Sequence, residues 1–123
     1  MLESDAYHRI VQQVEATGAT LVAVSNTKPI EDIEALYELG QRDFGENRDP
    51  EMATKYEQLP KDIRWHMIGH LQRNKVKQIA PFVHTIHAVD SLRLLSEIDK
   101  RAKQSNRTIN CLLQYHIAQE STK

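Results

Sequence analysis

Residues 20–40 read TLVAVSNTKPIEDIEALYELG, and the change of pattern inside this stretch decides the fold class. The first part, TLVAVSN, is a short, β-branched and nearly continuous apolar run, as expected of a strand buried on both faces in a parallel sheet. After Pro29 the spacing becomes helical: Ile30, Ile33, Leu36 and Tyr37 share one stripe, which stops at Gly40. A strand feeding an amphipathic helix is a βα unit, and the rest of the chain repeats it.

Upstream, residues 4–16 place Ile10, Val11 and Val14 at helical spacing and end at Gly18, a C-cap signal, so the first βα unit is preceded by a helix. Downstream, RDFGEN is a short strand and loop, PEMATKYEQL a helix with Pro50 in its first turn, and IRWHMIG a strand. NKVKQIAPFV reads as a short helix interrupted by Pro81, HTIHAV as a strand, and DSLRLLSEIDKRAKQ as a long helix capped by Asp90 or Ser91. TINCLLQYHIA is a fifth strand. Such alternation, joined by right-handed crossovers, means a parallel α/β sheet. Five βα-type strands could make a small open sheet or a little over half of an eight-stranded barrel, and in either case ligand-facing residues lie at the C-terminal ends of the strands.

The chain has 123 residues, enough for one core, and no internal linker divides it, so residues 1–123 read as a single domain. Sixteen basic and 17 acidic residues leave a net charge of −1, which provides no global field to draw the chain onto nucleic acid or an anionic membrane. With no run of eighteen apolar residues and an acidic N-terminus, a soluble cytoplasmic protein is expected. Cys111 is the only cysteine and sits in an apolar run, as a small core residue would.

The polar residues at the strand ends are Asn26, Thr27 and Lys28, then Glu46 and Asn47, then His66, Gly69, His70, Gln72 and Asn74, then His87 and Asp90, and finally His116 and Gln119. His66 and His70 have the i,i+4 spacing of a helical zinc site, but they fall on a strand and its turn, without the Glu that such a motif carries. His84 and His87, three apart on a strand, should point to opposite faces. No metal site is expected. The basic run HLQRNKVK reads as a solvated helix start, and no phosphate-binding glycine loop or nucleophile elbow is present.

Taken in order and spacing, LVAVSNTKP, FGEN, WHMIGHLQRNK, HAVDS and LLQYHIAQESTK resemble the YggS/PROSC family of pyridoxal phosphate homeostasis proteins from residue 20 to residue 123. The resemblance implies a partial (β/α)8, TIM-type barrel, similar to the N-terminal domain of alanine racemase, with pyridoxal 5'-phosphate (PLP) held at its C-terminal mouth. It implies a PLP carrier or regulator without catalytic turnover, here the N-terminal half only. The cofactor-binding residues it points to are Asn26, Lys28, Asn47, His66 and His87.

Two departures from the family matter. Its first strand reads V-S-K-T-K-P, where the first Lys forms a Schiff base with PLP, and that position is Asn26 here. A carboxamide nitrogen is delocalised into its carbonyl and cannot attack an aldehyde, so Asn26 can hydrogen-bond to the cofactor but cannot hold it covalently. Lys28, two residues on, would share its face if the strand persisted. The family also continues beyond the position of Lys123 to supply the late barrel loops that cradle phosphate. A half-barrel leaves two open sheet edges, and pairing with a second copy would cover both, so a homodimer is expected. The alternative reading is a non-catalytic engineered or degenerate half-barrel whose main property is that self-association.

Overall fold

A computed structural model describes residues 4–115. The first helix, α1 (Ser4–Thr17), ends where Gly18 turns left-handed at φ 78° and donates its N–H to the Glu15 carbonyl at 3.1 Å. It lies beside the N-terminal ends of the strands: the Tyr7 hydroxyl donates to Gln41 at 2.7 Å, just ahead of the second strand.

Five strands follow: β1 (Ala23–Val24), β2 (Asp43–Glu46), β3 (Arg64–Met67), β4 (Val83–Val89) and β5 (Asn110–Leu113). All pair in parallel, each beside its neighbour in sequence, in the order β1-β2-β3-β4-β5. The connecting helices are α2 (Ile30–Glu38), α3 (Asp49–Gln58), α4 (Val76–Ile79), reached through a 3-10 turn at Arg73–Lys75, and α5 (Leu92–Gln104). This sequential order is the one that consecutive strands of a (β/α)8 barrel take.

The element order agrees with the sequence reading, but the first and last strands are shorter than their apolar runs. TLVAVSN yields a strand of only two residues, and Val24 is 60% exposed rather than buried on both faces. The reason is position: β1 is an edge strand paired only with β2, so one flank has no neighbour among the described residues. The fifth strand, read over residues 108–118, spans Asn110–Leu113, and His116 and Gln119 lie outside the described residues.

The core forms where the helices cover the sheet. Phe44, Trp65, Met67, Val83 and Ile86 from the strands pack with Ile33 of α2, Met52 of α3, Val76 and Ile79 of α4, and Leu94 and Ile98 of α5. Trp65 and Phe44 are wholly buried, with ring centroids 6.1 Å apart. Truncating an aromatic residue so placed costs about 3–5 kcal/mol. Cys111 packs half-buried against this core, and burial pushes its thiol pKa up, in keeping with a structural residue.

One polar cluster lies on the helix-covered side. The Glu46 carboxylate, completely buried, accepts from the Lys55 ammonium of α3 at 2.9 Å and from the Ser25 hydroxyl. Lys55 also donates to the Ser25 carbonyl at 2.7 Å and to Glu51 at 2.8 Å. Glu51 in turn accepts the Thr27 backbone N–H at 2.6 Å. These bonds tie the chain leaving β1 to the side of α3. Burial pushes the Glu46 pKa up, and the hydrogen bonds from Ser25 and Lys55 oppose it without cancelling it.

Candidate functional site

The sheet has a second face, which the helices do not cover, and its residues are polar. Along β2 the alternation sends Phe44 and Glu46 toward the helices and Asp43 and Gly45 to the other side. In β3, Trp65 and Met67 face the core while Arg64 and His66 join Asp43. With Thr20, Val22, His84, Thr85, His87, Asn110 and Leu112 they line an open cavity of about 450 Å³.

Four of these side chains form a continuous hydrogen-bonded chain. The Arg64 guanidinium donates twice to the Asp43 carboxylate, from Nε at 3.0 Å and from Nη2 at 2.8 Å. Asp43 Oδ1 lies 2.9 Å from His66 Nε2, and His66 Nδ1 lies 3.1 Å from His87 Nε2. Burial alone would raise the Asp43 pKa, but hydrogen bonds from Arg64 and His66, reinforced by their charges, outweigh it and hold the carboxyl below its usual value. His84 and His87 are both held below the usual histidine value, first by burial and then by the neighbouring His66.

His84 and His87 were expected on opposite faces, and the structure overturns that expectation. Trp65 pairs with Val83 but His66 pairs with Thr85, so β4 carries an extra residue at His84. This β-bulge resets the alternation, and both histidines line the same cavity. Their rings lie 5.5 Å and 5.4 Å from that of His66. Among the described residues no group of three or more His, Cys, Asp or Glu side chains is arranged to hold a metal ion.

The other residues singled out from sequence lie elsewhere. The strand does not persist beyond Val24, so Lys28 does not take the same face as residue 26: the Lys28 N–H donates to the Ser25 carbonyl at 3.0 Å across a turn in which Thr27 has φ 65°. Asn26 is half-buried, and its Oδ1 is a buried acceptor without a hydrogen-bond partner. Lys28 lines a different cleft, of about 450 Å³, with Pro29 and Ile30 of the α2 start and Arg48, Pro50 and Glu51 of the α3 start. Asn47 is exposed directly after β2, and its backbone is pressed against Gly69 after β3. A Cβ at Gly69 would stand 2.5 Å from the Asn47 carbonyl oxygen, so only glycine lets these two strand exits come together.

Of the five residues that the sequence grouped as cofactor-binding, the structure brings His66 and His87 together in this cavity, while Asn26 and Asn47 stand at the strand exits and Lys28 in the other cleft. The sequence reading did not single out Asp43 and Arg64, which begin their strands instead of ending them. Their signal was the alternation itself, which puts a carboxylate and a guanidinium on the same face of adjacent strands.

No protein-family model matches the chain. Curated relatives do: the chain is 38% identical over 125 residues to the pyridoxal phosphate homeostasis protein of Synechocystis, covering all of this chain and 57% of that protein. It is 39% identical to the protein of the same name from Aquifex aeolicus, covering 98% of this chain and 55% of that one. Among solved structures, PipY of Synechococcus elongatus without PLP superposes with a TM-score of 0.86 at 32% identity, over 98% of this chain and 56% of PipY. PipY with PLP bound matches at a TM-score of 0.74 and 35% identity, over 82% of this chain and 49% of PipY. No helix of the described residues is long and apolar enough to cross a membrane. Sequence and backbone thus agree: over its whole length the chain is similar to pyridoxal phosphate homeostasis proteins, and it spans about half the length of the curated relatives it matches.

Proposed function

We propose that this chain is a PLP-handling protein that binds the cofactor without a covalent link to lysine and carries out no catalytic turnover. The observation that carries this reading is residue 26, an asparagine in the turn that leaves β1, with a buried Oδ1 that has no donor. An acceptor in that state fits a ligand that offers it a ring hydroxyl or protonated ring nitrogen. The cofactor, when bound, supplies an aldehyde carbon, and a carboxamide cannot attack it.

In this reading Asn26 and Asn47 hold the ligand by side-chain amides at the strand exits, and His66 and His87 bound it from the inner face. Lys28 is the nearest amine along the chain, and its place in the outer cleft argues for a role in charge balance instead of bond formation. Equilibrium dialysis should show PLP binding, and borohydride reduction followed by mass spectrometry should show no stoichiometric adduct. Asn26→Lys should gain one. A wild-type adduct that Lys28→Ala removes would overturn the non-covalent reading, and absence of binding in dialysis would overturn the assignment of ligand.

A second reading is favoured by the sheet edges. Val24 of β1 and Leu112 and Leu113 of β5 are 60%, 53% and 69% exposed, and each of these strands has a sheet partner on one side only among the described residues. Pairing of two copies through these edges, giving a homodimer, would cover both at once.

A further inference from the structure

We propose that Asp43, His66 and His87 form a proton-accepting relay on the inner face of the sheet, whose outer end, Nδ1 of His87, receives the proton of a weakly acidic hydroxyl bound in the cavity. The proposal does not depend on PLP, and it is tested without it.

The contacts fit one set of tautomers for a relay ready to accept a proton. Asp43 is ionised, because Arg64 and His66 hold its pKa down, and an ionised carboxylate only accepts. His66 Nε2, 2.9 Å away, must therefore carry the proton and donate. In the relay as proposed, His66 carries a single proton and has a bare Nδ1, so that His87 Nε2 is the donor across the 3.1 Å contact. His87 Nδ1 is left as the acceptor end of the chain, on a side chain that lines the cavity.

The relay can take one proton with every atom accounted for. A hydroxyl hydrogen-bonded to His87 Nδ1 transfers its proton there and becomes an oxyanion. The proton on His87 Nε2 passes to His66 Nδ1. His87 ends neutral in its other tautomer, and His66 ends as an imidazolium that keeps its Nε2–H bond to Asp43. The charge comes to rest beside the carboxylate, two bonds away from the ligand.

The charged and titratable groups around the relay favour that resting place. Asp43 on β2 attracts a positive His66, and Arg64 on β3 is already engaged by the same carboxylate. His84 on β4 and Arg107 ahead of β5 are the remaining members, and the His84 pKa is lowered by burial, by His66 and by the charges of Arg64 and Arg107, with Asp43 opposing them. A proton on His84 or His87 would lack the carboxylate contact that His66 has.

Histidine-labelled protein tests this by nitrogen-15 spectroscopy, with 4-nitrophenol as the acidic hydroxyl. In the free protein His66 should show a protonated Nε2 and a bare Nδ1, and His87 a protonated Nε2; the reverse tautomer at either residue overturns the relay. Adding 4-nitrophenol should protonate both nitrogens of His66 and raise the nitrophenolate absorption at least twofold, while exposed His8 and His70 do not respond. His87→Gln should remove both responses, and Asp43→Asn should keep the ligand's perturbation of His87 while losing its ionisation. Binding without ionisation, or no perturbation of the cavity histidines, overturns the proposal. The wild-type tautomers decide the case even if a variant fails to fold.

Discussion

Lys55 is a single charged residue on which the helix-covered side depends. It is 5% exposed and neutralises the fully buried Glu46, so Lys55→Met leaves a buried carboxylate without its cation. Denaturant unfolding should show a loss of about 3–5 kcal/mol, because the desolvation cost remains after the attraction is gone. The deficit should grow with pH. Glu46 already has a raised pKa, and a group of that kind stabilises the fold below its unfolded value and loses the contribution as pH rises through its folded one. Asp43 has the opposite sign. Its pKa is lowered in the fold, so its contribution is complete above the unfolded carboxylate value and is lost as pH falls through the lowered one. Acid unfolding of wild type should therefore steepen below about pH 4, and Asp43→Asn should flatten that limb while lowering stability at neutral pH. Neither lysine nor aspartate was legible as special in the sequence. Each is one charge among many until the strand alternation says which face it takes.

At the scale of elements, the strand exits are held at close approach. Gly69→Ala would drive a methyl group against the Asn47 backbone, not against a flexible side chain, so the exits of β2 and β3 must separate. A loss of about 1–3 kcal/mol is expected by chemical denaturation, together with shifted backbone resonances around Asn47. On α5 the Ser91 hydroxyl accepts the Leu94 N–H at 3.1 Å, and Ser91→Ala should cost about 1 kcal/mol by the same measurement. The order of helices and strands could be read from the sequence because each apolar stripe changes period at a Gly or Pro. Strand lengths could not. An apolar run fixes what can be buried, whereas the number of ladder residues depends on a neighbouring strand, and β1 has only one.

For the whole molecule, the sheet has two unequal sides. One is sealed by α2 to α5 over Trp65 and Phe44, and the other carries Asp43, Arg64 and three histidines around an open cavity. If the edges pair as proposed, sedimentation velocity should show a dimer, and Leu113→Lys on the β5 edge should shift it toward monomer; a stable wild-type monomer at all concentrations would sink the edge pairing. The extra residue in β4 bears on the whole molecule as well. Val83, Ile86 and Val89 all turn to the buried side, so this strand repeats every three residues where an ordinary one repeats every two. Between Val83 and Ile86 it spares two positions for the inner side, and so seats His84 and Thr85 where a regular strand would seat one residue. The histidine cluster is thus a matter of phase as much as of composition. In a strictly alternating strand of the same sequence, without the bulge, His84 and His87 would fall on opposite faces and the cluster would be split, with every histidine kept.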